Sequence, residues 1–115
     1  MAKSSTCTVV ISVVGDSVNE AYTPAALTNV AAPAGGPISI ALASGDNTIT
    51  VPPGAIAMLI LPPAASTFAK KLKGIGGDTG FQISTTALSL LSLPTGAATV
   101  LLNSAGIETI SVHWL

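Results

Sequence analysis

Arginine is absent from this chain, and charge of either sign is sparse. Four lysines, five acids and one histidine are spread over 115 residues, 8% of the side chains are charged, and the net charge is −1. Soluble domains ordinarily carry about 25% charged residues. No basic stripe able to follow a phosphate backbone can be assembled from four lysines, so nucleic acid is not expected as a partner. Aromatic residues make up only 3%, too few for a base-stacking platform and few for a sugar site. The single cysteine, Cys7, excludes an intramolecular disulfide framework and suits synthesis in a reducing cytosol. The longest apolar run, Ala55 to Leu61, stops at Pro62-Pro63, far short of the roughly 18 residues a spanning helix needs. Behind Lys3 there is no apolar stretch with a cleavage site, so no export signal and no membrane are expected.

What is present is small and aliphatic. Hydrophobic residues reach 49%, and with so few aromatics they are mostly Ala, Val, Ile and Leu. A chain of this length buries roughly 65% of its unfolded surface, enough for one domain without metals or disulfides. A monomer with so little charge must cover itself with Thr, Ser, Ala and Gly, and near-neutral surfaces favour association. The composition therefore predicts a single domain, 1–115, that hides surface against copies of itself or a larger body.

Periodicity settles the fold class. Thr6 to Val14 alternates, with Cys7, Val9, Ile11 and Val13 on one face, and reads as a half-buried strand. Glu20 to Val30 is ambiguous, and Ala31 to Pro37 reads as a connection. Ile38, Ile40 and Leu42 alternate with Ser39 and Ala41; a turn follows at Ser44 to Asn47, then a strand at Thr48 to Val51. Pro52-Pro53-Gly54 reverses the chain. Ala55 to Leu61 is apolar on both faces and predicts a central strand. Further strands are expected at Phe68 to Leu72, Phe81 to Ser84, Leu88 to Leu93 and Ala98 to Leu102. In the last strand Ile110, Val112 and Trp114 face one way, and Thr109, Ser111 and His113 the other. Eight or nine short strands without an amphipathic helix predict an all-β, antiparallel β-sandwich, jelly-roll or immunoglobulin-like in architecture. Strand order is not readable from the pattern.

Chemistry concentrates in one stretch. Lys70 to Gly80 holds three of the four lysines, one acid and four glycines. A glycine turn is expected here rather than a phosphate loop, because GxxxxGK[ST] is missing and the lysines precede the glycines. Asp78 would also repel an anion. Phe68 to Leu72 reads instead as an edge strand whose lysines deter unwanted pairing, running into a glycine turn. Lys70, Lys71 and Lys73 are then the groups placed to pair with acids of a neighbouring subunit, with Asp78 beside them. His113 lacks the companions that a metal site or a catalytic triad requires. Trp114 continues the apolar face of its strand and is expected in the core or at an interface. No catalytic residue, cofactor, metal or small-molecule substrate is expected.

Val51-Pro52-Pro53-Gly54, Leu61-Pro62-Pro63, Leu72-Lys73-Gly74, Gly77-Asp78-Thr79-Gly80 and the closing Ile110-Ser111-Val112-His113-Trp114-Leu115 resemble small β-rich virion structural proteins of tailed bacteriophages. The resemblance covers residues 48 to 115. It implies a non-enzymatic virion component, foremost a capsid decoration or cement protein made in the host cytoplasm. Such proteins bind the coat shell as symmetric oligomers and stabilise it. A head-fibre or tail accessory protein, or a glycan or host-surface binding module, are the alternatives. The partners implied are copies of the chain itself and a major capsid or tail protein. The interaction residues expected are Lys70, Lys71, Lys73, Asp78 and Trp114.

Overall fold

Short apolar runs rich in β-branched residues, separated by proline and glycine, favour pleated strands over helix, and strands are what the chain forms. The computed structural model describes residues 3–8, 11–13, 20–22, 26–33, 35–94 and 96–115, with no helix among them. Twelve strands occur among the described residues. The first six are β1 (Lys3–Cys7), β2 (Ile11–Val13), β3 (Glu20–Tyr22), β4 (Leu27–Ala32), β5 (Ile38–Leu42) and β6 (Gly45–Thr50). The remainder are β7 (Ala57–Leu61), β8 (Lys70–Lys73), β9 (Phe81–Ile83), β10 (Ser89–Ser92), β11 (Thr99–Ser104) and β12 (Glu108–Trp114).

The excess over eight or nine lies at the N-terminus. The stretch expected as one strand, Thr6 to Val14, supplies the end of β1 and all of β2, and the ambiguous segment after Glu20 supplies β3 and β4. The face expected from Val9, Ile11 and Val13 lies outside the described side chains. Cys7 is half-buried. β1 pairs with β4 and β2 with β3, both antiparallel, so this N-terminal segment forms two two-stranded sheets. Its root meets the rest of the molecule where the Asn29 side-chain amide donates to the Gly54 carbonyl at 2.8 Å. Gly54 has φ +86°, and an added Cβ would lie 2.9 Å from the Ala31 carbonyl, so glycine is required there on two counts.

The other eight strands make two four-stranded sheets, sheet I in the order β10-β7-β12-β5 and sheet II in the order β6-β11-β8-β9. Their pairings are nested. β5 pairs with β12, β6 with β11, β7 with β10 and β8 with β9, all antiparallel, and successive pairs fall alternately in sheet I and sheet II. β12 also pairs with β7, and β11 with β8, which completes the sheets. A long hairpin rolled so that alternate pairs join opposite sheets is a jelly roll. The sandwich is therefore of the jelly-roll and not the immunoglobulin kind.

Alternation fills the space between the sheets. Leu42, Met58, Ile60, Ile110, Val112 and Trp114 from sheet I meet Ile49, Val51, Val100 and Leu102, contributed by sheet II and the residue after β6. Fully burying one such side chain stabilises the fold by about 1.5–3 kcal/mol. β7 lies inside its sheet as expected, with Ala57, Met58 and Ile60 fully buried. The corner from β5 to β6 comes one residue earlier than the turn expected at Ser44 to Asn47. Gly45 opens β6 with φ +101°, and the Asn47 amide staples the corner. Its Oδ1 accepts from Ala43 N at 2.9 Å, and its Nδ2 donates to Ala43 O at 3.0 Å and to Leu102 O at 3.2 Å.

One expectation about position fails. β8 is not an edge strand; it lies between β11 and β9. Lysines guard edges because an uncompensated charge cannot enter a sheet. Here two of the three are compensated within the molecule.

Candidate functional site

The three lysines of β8 have three different fates. Period-two alternation sets Lys70 on the same face as Leu72, which points at the core. Lys70 is 0% exposed. Its ammonium lies 2.6 Å from Glu108 Oε2, on a side chain that is itself only 7% exposed. It also donates to Ser66 Oγ at 3.0 Å, Phe68 O at 3.0 Å and Thr85 O at 3.4 Å. β8 belongs to sheet II and Glu108 opens β12 of sheet I. One buried ion pair thus ties the two sheets together and gathers in the loops before β8 and after β9. Burial pushes the Glu108 carboxyl up, but hydrogen bonds from Lys70 and Ser66 and the lysine charge outweigh it and hold the group below its usual 4.5. Lys70 is engaged inside the domain and is not free for a partner.

Lys73 faces outward and lies 3.0 Å from Asp46 Oδ1 on β6. Asn103 of β11 donates to the same oxygen at 2.7 Å. That amide, followed by Lys73, holds the Asp46 carboxyl below its usual 3.8. Asp78 organises the glycine turn: its Oδ2 accepts from Gly74 N at 3.1 Å and from Ile75 N at 3.0 Å. Gly80 closes that turn at φ +85°, with the Leu72 carbonyl 3.0 Å from the place a Cβ would take. Lys71, half-buried and in register with Asn103 and Gln82, has no ion pair among the described residues. Of the lysines of this strand, Lys70 and Lys73 are paired within the molecule and Lys71 is not, among the described residues.

Sequence reasoning missed Glu108, Asp46 and Ser66. The alternation of Lys70 and Leu72 against Lys71 and Lys73 was the available signal. It marks Lys70 as inward, and an inward lysine demands a buried acid. Trp114, expected in the core or at an interface, joins the core at 6% exposure. His113 lies on the outward face of β12, in register with Leu59. No group of three or more His, Cys, Asp or Glu among the described residues could hold a metal ion.

The two outer faces differ in kind. Sheet II carries Asp46, Lys70, Lys71 and Lys73 on its strands. The strands of sheet I, ISIAL, AMLIL, SLLS and ETISVHW, carry one charged residue, Glu108, and that residue is paired with Lys70. Met58, Ile60 and Leu91 pack on the core, so Leu59, Leu61 and Leu90 point outward by alternation. Leu90 is paired with Leu59 and is 37% exposed; Leu88, just before β10, is 62% exposed. The apolar surface continues round the β10 edge into an open groove of about 440 Å³, floored by Ile60, Leu72 and Leu91. Phe81 of β9, 74% exposed, stands at its rim.

Compared with protein-family models, curated protein sequences and solved structures, the chain matches none. Function has to be read from these faces.

Proposed function

We propose that this chain is a non-enzymatic structural protein of a bacteriophage virion, a decoration protein that binds the coat shell as a symmetric oligomer and stabilises it. The observation that carries the reading is the outer face of sheet I, on which no Asp, Glu, Lys or Arg points to solvent and leucines do. An apolar, charge-free sheet face is buried in assemblies, at about 25 cal/mol for each Å² of apolar surface covered. The jelly roll serves viral coat, lectin and cupin domains alike, so it admits this reading by analogy without selecting it. The resemblance of residues 48 to 115 to phage structural proteins points the same way.

A protein of this kind works by geometry. It lies across the junction of neighbouring coat subunits, buries its uncharged surface against copies of itself and the shell, and raises the force needed to part them. The charged face of sheet II, where Lys71 is available, supplies orientation through acids on the coat. A head-fibre or tail position is the alternative within the same class. Gradient-purified particles produced from the genome encoding this chain should contain it in stoichiometric amount, read by quantitative mass spectrometry. Its absence from particles while it is abundant in the lysate overturns the reading.

A further inference from the structure

We infer that a second copy of this chain covers the β10 edge of sheet I, with the two β10 strands pairing antiparallel about a twofold axis into one eight-stranded sheet. Three observations lead there. β10 is a terminal strand of its sheet, and its sequence, Ser89-Leu90-Leu91-Ser92, contains neither lysine nor proline nor any other charge. Edges that remain free in solution are guarded by such residues or by bulges, and β10 pairs with β7 in unbroken register. The surface beside it is apolar on both sides of the edge: Leu88 and Leu90 with Leu59 on the outer face, and Phe81 over the groove.

The occupant follows from charge. A twofold axis sets a surface against itself, so any charged residue near the axis faces its own like charge. Sheet II fails that condition, since its outer face would set Lys71 near Lys71. Sheet I meets it, because its only charged strand residue is paired inside the molecule and the one titratable side chain on its outer face is His113. An antiparallel pair of identical strands is also self-complementary in hydrogen bonding, each edge offering the N–H and C=O groups the other lacks. The pairing brings Leu88 and Leu90 of each copy towards those of the other, and Phe81 of each towards the partner's groove.

The inference rests on the virion reading only for what the dimer would serve; its test needs no particle. Sedimentation velocity of the full chain at micromolar concentration should give a mass twice the 11.3 kDa of one chain, or an even multiple of it. Leu88→Lys with Leu90→Lys should weaken self-association at least a hundredfold and leave the far-UV circular dichroism and thermal midpoint close to wild type. Lys71→Glu, on the other sheet, should leave the mass unchanged. A monomeric wild type, an odd-numbered oligomer, or an assembly that survives the leucine changes but is dissolved by Lys71→Glu each overturns the proposal. A monomer found in virions would remove the twofold alone; a dimer absent from virions would remove the structural reading alone.

Discussion

Lys70 and Glu108 show how a single charge is accommodated where almost none is allowed. Removing one partner of a buried ion pair leaves the other stranded in the core, which costs about 3–5 kcal/mol. Glu108→Gln should therefore lower the unfolding free energy by about that amount, measured by denaturant titration. Replacing both residues by apolar ones, as Lys70→Met with Glu108→Leu, should restore most of it, because no charge is then left without a partner. A double variant as unstable as the single one would mean that the loop contacts of Lys70, to Ser66, Phe68 and Thr85, matter more than its charge.

The same pair sets an acid limit. The native Glu108 carboxyl lies below 4.5, so above that pH both the folded and the unfolded group are ionised and the full contribution is present. As pH falls through 4.5 the unfolded chain takes up its proton first, stability drops, and the contribution is gone once the native carboxyl protonates. Asp46, held below 3.8 by Asn103 and Lys73, adds to the slope at still lower pH. Thermal midpoints measured from pH 6 down to 2 should decline below about pH 4.5, and more shallowly in the Lys70→Met/Glu108→Leu variant. A decline of equal steepness in both would assign the acid sensitivity to other groups.

Among the elements, the strands were legible where one rule governed them. β5, β7 and β12 follow from alternation or from unbroken apolar character; Leu42, Ile110, Val112 and Trp114 are buried as the pattern selects, while Ile38, on the same face of β5 as Leu42, is 46% exposed. β8 was legible as a strand but misplaced as an edge, because its lysines were counted without the facing acids. Those acids lie on β6 and β12, and only the sheet order brings them near. The turn from β8 to β9 was legible in its glycines but not in its cap: Asp78 holds it from the side, and Gly80 is needed for its backbone. Gly80→Ala should cost about 1–2 kcal/mol from the left-handed conformation alone, with close approach to Leu72 O adding to it. Equilibrium unfolding would measure this, and a change within 0.5 kcal/mol would show that the turn re-forms in another shape.

At the level of the whole molecule, charge is sorted by sheet, and the candidate surfaces follow from that sorting. Lys71→Glu should weaken association with the shell at least tenfold in a co-sedimentation assay while the isolated fold keeps its stability. Lys73→Glu, by contrast, should lower the thermal midpoint of the isolated fold slightly, through loss of the pair with Asp46. If shell binding ignores Lys71→Glu, the contact is made elsewhere on the molecule.

Composition and periodicity by themselves determined that this protein is all-β and poor in charge, because those properties are local and additive along the chain. They also selected Leu42, Ile110, Val112 and Trp114 of the core, since period-two alternation reports which side of a strand is wet. The tertiary structure alone decided that the strands roll into nested pairs, that Lys70 turns inward to Glu108, and that the leucines of β7 and β10 form one uncharged face. Each of those depends on residues far apart in the chain meeting across a sheet or between sheets, and a sequence read in order carries no signal of which distant strand lies alongside.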